Sequence, residues 1–163
     1  MRVLLASPGM GVGGAERVVI DLAHGLASRG HEVLVSGPAG PLDAELSAER
    51  VLLRESGRSV AGVADSVARL AREIRGRRPT LVHGHNVKAT VVAGAAARLA
   101  RGPRRPPVVA TFHGVMPGEY RAAARLLRAA DRVACVSEEL AADLARAGLP
   151  AERLLVIHNA VAA

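Results

Sequence analysis

The sequence predicts a doubly wound α/β domain built on a mainly parallel sheet. Three observations predict it. Short continuous apolar runs alternate with segments of helical period along the whole chain, as buried parallel strands and their crossover helices require. A glycine-rich stretch, residues 8–14, follows the first apolar run and leads straight into a helical segment. At 163 residues, half of them hydrophobic, the chain has material for one core rather than two.

The elements follow in order. Val3-Leu4-Leu5-Ala6 reads as a strand buried on both faces. A helix is expected from about Gly14 to Ser28, with Val18, Val19, Leu22, Ala23 and Leu26 on one side and Gly30 as its stop. Val33–Val35 and Val51–Leu53 are short strands. Val60, Val63, Ala64, Val67, Ala71 and Ile74 then keep helical spacing up to Pro79. Leu81-Val82-His83 is a strand leading into an alanine- and valine-rich helix from about Val87 to Ala100. Residues 101–107, RGPRRPP, read as a loop by composition. Val108–Phe112 is the next strand, and a helix is expected from about Glu119 to Ala130. Val133–Val136, a helix from Glu138 to Ala147 closed by Gly148 and Pro150, and a strand Leu154–Ile157 complete the series. Right-handed crossovers between parallel strands then place helices on both faces of the sheet.

Charge and composition narrow the function. The net charge is +7, but only one of the 22 basic residues is a lysine, Lys88. That bias points to a GC-rich coding sequence, and the arginines are scattered or sit near expected helix ends, where cations are favourable. With only Phe112 and Tyr120 as aromatics, base stacking has little to work with, so no nucleic-acid partner is expected. Attraction to an anionic lipid surface, and with it peripheral membrane association, stays open. No apolar run approaches the roughly 20 residues a bilayer span needs. The opening run is too short for a signal-peptide core, so a cytoplasmic protein is expected. The single cysteine, Cys135, falls mid-strand and is expected to be a buried, inert thiol.

In a sheet of this kind ligands gather outside the carboxyl ends of the strands. The places so selected are the loop after Ala6, His83-Gly84-His85-Asn86, Thr111-Phe112-His113-Gly114, Ser137-Glu138 and His158-Asn159. The first loop matches G-x-G-x-x-G at Gly9, Gly11 and Gly14 between a strand and a helix. A dinucleotide would also need an acid after the second strand, where Ser36-Gly37-Pro38 stands. A P-loop would need a lysine where Ala15-Glu16 stands. What remains is a glycine loop at a helix N-terminus, either an anion cradle or a tight turn. Glu16 suits the first helical turn, and Arg17 either reaches an anionic ligand or forms a surface ion pair.

His83, His85 and His113 could in principle ligate a metal, but H-x-H lacks the spacing or cysteine company of stronger zinc signatures. A polar cluster lining a cleft is the preferred reading. His113, just past a strand end and followed by a glycine, suits acid–base chemistry or a substrate hydrogen bond. Asn86 and Ser137 are placed to cap the helices that follow them. His24 and His31 are read as structural. There is no G-x-S-x-G elbow and no pair of carboxylates at strand ends, which argues against hydrolases.

Taken together, Gly13-Gly14-Ala15-Glu16-Arg17, Arg29-Gly30-His31-Glu32-Val33, His83-Gly84-His85-Asn86, Thr111-Phe112-His113-Gly114, Ala130-Asp131-Arg132-Val133, Val136-Ser137-Glu138 and Val156-Ile157-His158-Asn159 form an ordered set. Over essentially the entire chain the set resembles the N-terminal half of a GT-B glycosyltransferase of family four, the large retaining group. The resemblance implies a Rossmann-like lobe, one of two, with the active cleft between them. It implies that residues 1–163 are the acceptor-side domain and that a donor-binding C-terminal domain is absent after Ala163. It further implies a nucleotide-sugar donor held mostly by the second lobe, an unknown acceptor, no cofactor and no required metal. By the same resemblance Gly13 and Gly14 close on the donor phosphates and His113 lies near the reacting sugar. Glu16, Arg17, His85, Asn86 and Ser137 are then candidates for the acceptor side of the cleft. Asn159-Ala160-Val161-Ala162 departs from the N-G-V-D that the family often writes. The expectation is a lobe inactive alone. The alternatives are a non-enzymatic binding module for a phosphorylated or sugar ligand and, behind it, a dinucleotide-dependent oxidoreductase.

Overall fold

Residues 1–54, 59–100 and 105–159 are described by a computed structural model, and their strands fall on the apolar runs. In chain order they are β1 (Arg2–Ala6), α1 (Gly14–Ala27), β2 (Glu32–Gly37), β3 (Glu49–Leu52), α2 (Val60–Arg77) and β4 (Leu81–His85). Then come α3 (Asn86–Leu99), β5 (Val108–Phe112), α4 (Tyr120–Leu127), β6 (Arg132–Cys135), α5 (Glu138–Arg146) and β7 (Leu154–Val156). The strands form one seven-stranded sheet in the order β3-β2-β1-β4-β5-β6-β7, and all its pairings are parallel. The order reverses direction between β1 and β4, which is where a doubly wound sheet opens a crevice. This is the expected Rossmann-like α/β architecture.

The two faces of the sheet are dressed unequally. Leu4, Leu34, Val82, Val108, Ala110, Phe112 and Val133 point to the side packed by α2, α3, α4 and α5. Val3, Leu5, Val33 and Val35 point to the other side and pack on α1. That helix buries Val19, Ile20 and Ala23, so Ile20 belongs to its inner stripe while Val18, Leu22 and Leu26 lie at its margins. Close approach on the crowded face needs Gly84. A Cβ there would lie 2.6 Å from Thr90 Cα, so β4 and α3 could not pack as they do.

Helix ends follow local chemistry. Gly30 (φ 77°) and Gly148 (φ 96°) close α1 and α5. In each, the glycine N–H bonds three residues back and the next N–H five residues back, to Ala27 and Leu26 and to Ala145 and Leu144 respectively. Helix α4 stops at Leu127, short of the expected Ala130. The Ala129 and Ala130 amides turn back to Leu126 and Leu127 in tighter i−3 bonds. A 3₁₀ turn at Pro41–Glu45 was not expected from the sequence. Gly40 and Asp43 close it reciprocally, Gly40 N–H donating to the Asp43 carboxylate at 3.0 Å. Arg50 is paired to Asp43 at 3.0 Å and donates to the carbonyls of Val35, Gly37 and Pro38, tying this turn to the end of β2. Burial lowers the Arg50 pKa, and Asp43 opposes that shift.

Cys135 is buried, and burial alone pushes its thiol up to about 11, as an inert core cysteine requires. Among the described residues no helix is long and apolar enough to cross a membrane. Residues 101–104 of the loop expected at 101–107, and residues 160–162 of the departing stretch 159–162, lie outside the described residues.

Candidate functional site

Because every strand runs the same way, the loops after β1, β4, β5, β6 and β7 open on one edge of the sheet. Each motif selected from the sequence stands there. After β1 the chain is anchored before it is released: Ser7 N–H bonds the Ser36 carbonyl at 2.8 Å, and Met10 is fully buried beside α1. Residues 11–14 then stand exposed. Gly13 is the N-cap of α1 in an extended conformation and offers no side-chain cap, so the first amides of the helix keep their donors for another acceptor. The Glu16 carboxylate folds back over Gly13.

Strand β4 runs two residues further than the sequence predicts, so His85 lies on it with His83 rather than beyond it. Their imidazoles stack with centroids 4.4 Å apart, and His113 continues the series 6.0 Å from His85. His83 Nε2 is 2.8 Å from the Thr111 hydroxyl. His85 is fully buried, and neither of its ring nitrogens has a partner; His113 Nε2 is also buried and unpartnered. Burial, with the neighbouring imidazoles adding to it, pushes His83 down to about 4 and His85 to about 2. His113 is lowered by burial and partly restored by the Glu16 carboxylate. All three rings are therefore neutral at physiological pH. Among the described residues no cluster of histidine, cysteine or carboxylate side chains is placed to hold a metal ion.

Behind this stack lies a trough of about 310 Å³. His83, His85, Thr111 and Ala134 form its floor, Val18 and Leu22 of α1 one wall, and Leu155 and Ile157 the other. Its presence follows from the single helix on this face of the sheet.

The other sequence candidates divide. Ser137 caps α5, its hydroxyl accepting the Leu140 N–H at 3.3 Å. Asn86 does not cap α3. That place falls to His85, and Asn86 is the first helical residue, held at φ 76° with its side-chain oxygen accepting Val87 N–H at 2.6 Å. Asparagine tolerates this left-handed backbone better than other side chains, so the residue marks a forced turn from strand to helix. Arg17 forms an exposed ion pair with Glu45, at 2.5 Å. That bond raises the Arg17 pKa and lowers that of Glu45. Sequence reasoning missed Thr111 as the fixer of His83, and the signal was available: a hydroxyl two residues before His113 on the neighbouring strand.

The model of Glycosyltransferase Family 4 matches residues 12–163. Among solved structures, HepE of Anabaena in complex with UDP-glucose is 25% identical, with a TM-score of 0.79 over 99% of this chain and 44% of that one. The lipopolysaccharide outer core galactosyltransferase WaaB is 15% identical, with a TM-score of 0.74 over 99% of this chain and 46% of that one. MurG of Acinetobacter baumannii is 17% identical, with a TM-score of 0.72 over 99% and 46%. The chain thus spans less than half the length of the solved chains it matches. No curated protein sequence matches it.

Proposed function

The chain belongs to Glycosyltransferase Family 4, and from that membership we propose that it is the acceptor-side lobe of a nucleotide-sugar-dependent, retaining glycosyltransferase. In this reading residues 1–163 form one wall of a cleft, and a donor-binding domain outside this chain forms the other. The observation that carries the proposal is the convergence of an uncapped helix N-terminus and unpartnered imidazoles on one edge of the sheet. The HepE structures, which hold UDP-glucose, UDP, and UDP with glucose, support a UDP-sugar as donor.

The geometry suits group transfer. In the reaction the bond from the anomeric carbon to the diphosphate breaks, a bond to an acceptor oxygen forms, and any proton on that oxygen passes to the departing diphosphate. The amides at Gly13 and Gly14 face the leaving diphosphate, where a helix N-terminus stabilises developing negative charge without reorganising. His113 stands beside the reacting sugar, its neutral ring able to donate or accept a hydrogen bond. Glu16 is close enough to bias its protonation. His85 and His83 back the ring from within the sheet. Arg17, Asn86 and Ser137 complete the rim on the acceptor side, the last two by holding the loops that open the cleft. No resident cofactor enters this scheme. A cytoplasmic setting belongs to the same reading.

The 163-residue chain alone should bind UDP-glucose very weakly and transfer no sugar. Robust turnover by the purified chain would overturn the two-lobe reading. In the enzyme completed by its second domain, His113→Ala should lower kcat about 100-fold or more, the range expected for a positioned acid–base group. The donor KM should stay within a few-fold. Unchanged turnover removes His113 from the mechanism.

A further inference from the structure

The outer side of the molecule carries a second opening, away from the trough. Helices α2, α3 and α4 leave between them an apolar groove of about 610 Å³, within the range of small-molecule sites. Val63 of α2, Val91 of α3 and Leu126 of α4 line it. Its apolar surface is unsealed: Leu126 is 47% exposed, and Met116, just ahead of α4, is 69% exposed. The groove begins where the candidate site ends. Asn86 and Lys88 at the start of α3, and Val115, two residues after His113, lie at that end.

Lys88 is the observation that gives the groove a direction. It is the single lysine of a chain that otherwise uses arginine. It also lines the small cavity beside Arg54 at the carboxyl end of β1. Among the described residues it has no acidic partner, in contrast to Arg2, Arg17, Arg50, Arg69, Arg77, Arg105 and Arg146. The one acid lining the groove, Glu119, accepts the Met116 N–H at 3.3 Å. Two arginines of α4, Arg121 and Arg125, are exposed. An apolar groove with an exposed ammonium at one end is complementary to an amphiphile with one anionic head, and lysine suits phosphate as a point charge.

We propose that this groove binds the acceptor as a single amphiphilic molecule, a long-chain alkyl phosphate whose tail lies along α4 and whose head, carrying the acceptor oxygen, meets Lys88 at the Asn86 end of the groove. The inference rests on the transferase reading and names the class of acceptor for it. The alkyl chain supplies affinity and the phosphate fixes which end of the molecule reaches the sheet edge.

Calorimetric titration of the 163-residue chain with monomeric octyl, decyl and dodecyl phosphate tests it, with inorganic phosphate and dodecyl glucoside as controls. From octyl to dodecyl the affinity should rise at least tenfold, since each fully buried methylene contributes about a factor of three to four. Inorganic phosphate should not bind measurably. Lys88→Met should weaken dodecyl phosphate about tenfold and leave dodecyl glucoside unchanged. Leu126→Ser, at an exposed position, should flatten the dependence on tail length. Equal affinity for octyl and dodecyl phosphate overturns the proposal, as does indifference to Lys88→Met. So does binding to anionic phospholipid vesicles without binding to the monomers, which would make the face a membrane-docking surface. If a substituted chain melts at a lower temperature, the tail-length series on the native chain decides. The two readings fail separately. Alkyl phosphate binding with these dependences, but no sugar transfer in the two-domain enzyme, keeps the groove and removes the transferase. Transfer that depends on His113 but ignores the tail does the reverse.

Discussion

The two edges of the parallel sheet are finished differently. At the amino edge, Asp131 accepts the Val108 N–H at 2.8 Å and an Arg105 N–H at 2.6 Å, and Arg2 meets Glu32 at 2.7 Å. Burial opposes the charge on Asp131, but the Arg105 and Val108 hydrogen bonds outweigh it and hold the carboxyl below its usual value. Thr80 closes the entry to β4, its hydroxyl donating to the Arg2 carbonyl at 3.0 Å. At the carboxyl edge, the His85 side chain is fully buried, unlike the part-exposed Asp131, Arg105, Arg2 and Glu32, and it makes no hydrogen bond. One edge satisfies its polar groups from within the lobe. The other leaves donors and acceptors over, as a site that meets its partners from outside does. The amino edge therefore reads as stability, and the carboxyl edge is the one the proposed function uses.

Three substitutions sharpen that contrast. The largest effect belongs between the edges, at the β4–α3 approach. Gly84→Val should destabilise the fold by about 3 kcal/mol or more, because its side chain meets Thr90 backbone rather than a flexible side chain. Urea unfolding reads it, and a loss under about 1 kcal/mol would mean the helix moves aside freely. Next comes the amino edge. Asp131→Ala strips a buried amide and a guanidinium of their acceptor and should cost about 2 kcal/mol, without changing ligand binding at the other edge. A stability change within about 0.5 kcal/mol would show that the amino edge does not hold the sheet.

The smallest effect falls on the carboxyl edge. His85→Leu removes two unpartnered ring nitrogens, so stability at pH 7 should be unchanged or higher by about 1 kcal/mol. Its signature is in pH. His83 and His85 are neutral in the fold and titrate near 6.5 when unfolded, so the unfolded chain binds more protons in acid. Stability is complete above about pH 6.5 and falls as pH drops toward 4, by roughly 1 kcal/mol per pH unit for each ring. His85→Leu should remove about half of that slope. Chemical denaturation at pH 7, 6 and 5 measures it, and an identical acid slope in the two proteins would show that His85 carries a partner in solution.

Most of the fold was legible because a doubly wound sheet writes strands as unbroken apolar runs and helices as period-3.6 stripes. Both kinds of segment appear in sequence order from Val3 to Val156. The glycine stops at Gly30 and Gly148 were legible for the same local reason. What escaped depended on contacts distant in sequence. Nothing local says that β4 continues through Gly84 to His85. The extension exists because Ala6 of β1 pairs with Gly84 and Thr111 of β5 with His85. With the strand lengthened, the capping position moved from Asn86 to His85. The sequence did group His83, His85 and His113 as a polar cluster, but not the stacking of their rings, which joins β4 to the loop after β5. The 3₁₀ turn at Pro41–Glu45 did have a local signature, Gly40-Pro41 followed by Asp43, but five residues carry too little periodicity to announce it. Lys88 was visible as an oddity of composition, and only the groove beside it gives that oddity a use.

An amide NMR titration of the chain with UDP-glucose tests most directly whether the carboxyl edge is the wall of a donor site. The predicted result is a weak, millimolar response concentrated at Gly13, Gly14 and Glu16, with the His113 ring signals moving alongside. Shifts concentrated at the amino edge around Asp131 and Thr80, or no shift at the Gly13–Gly14 amides at saturating ligand, would contradict it.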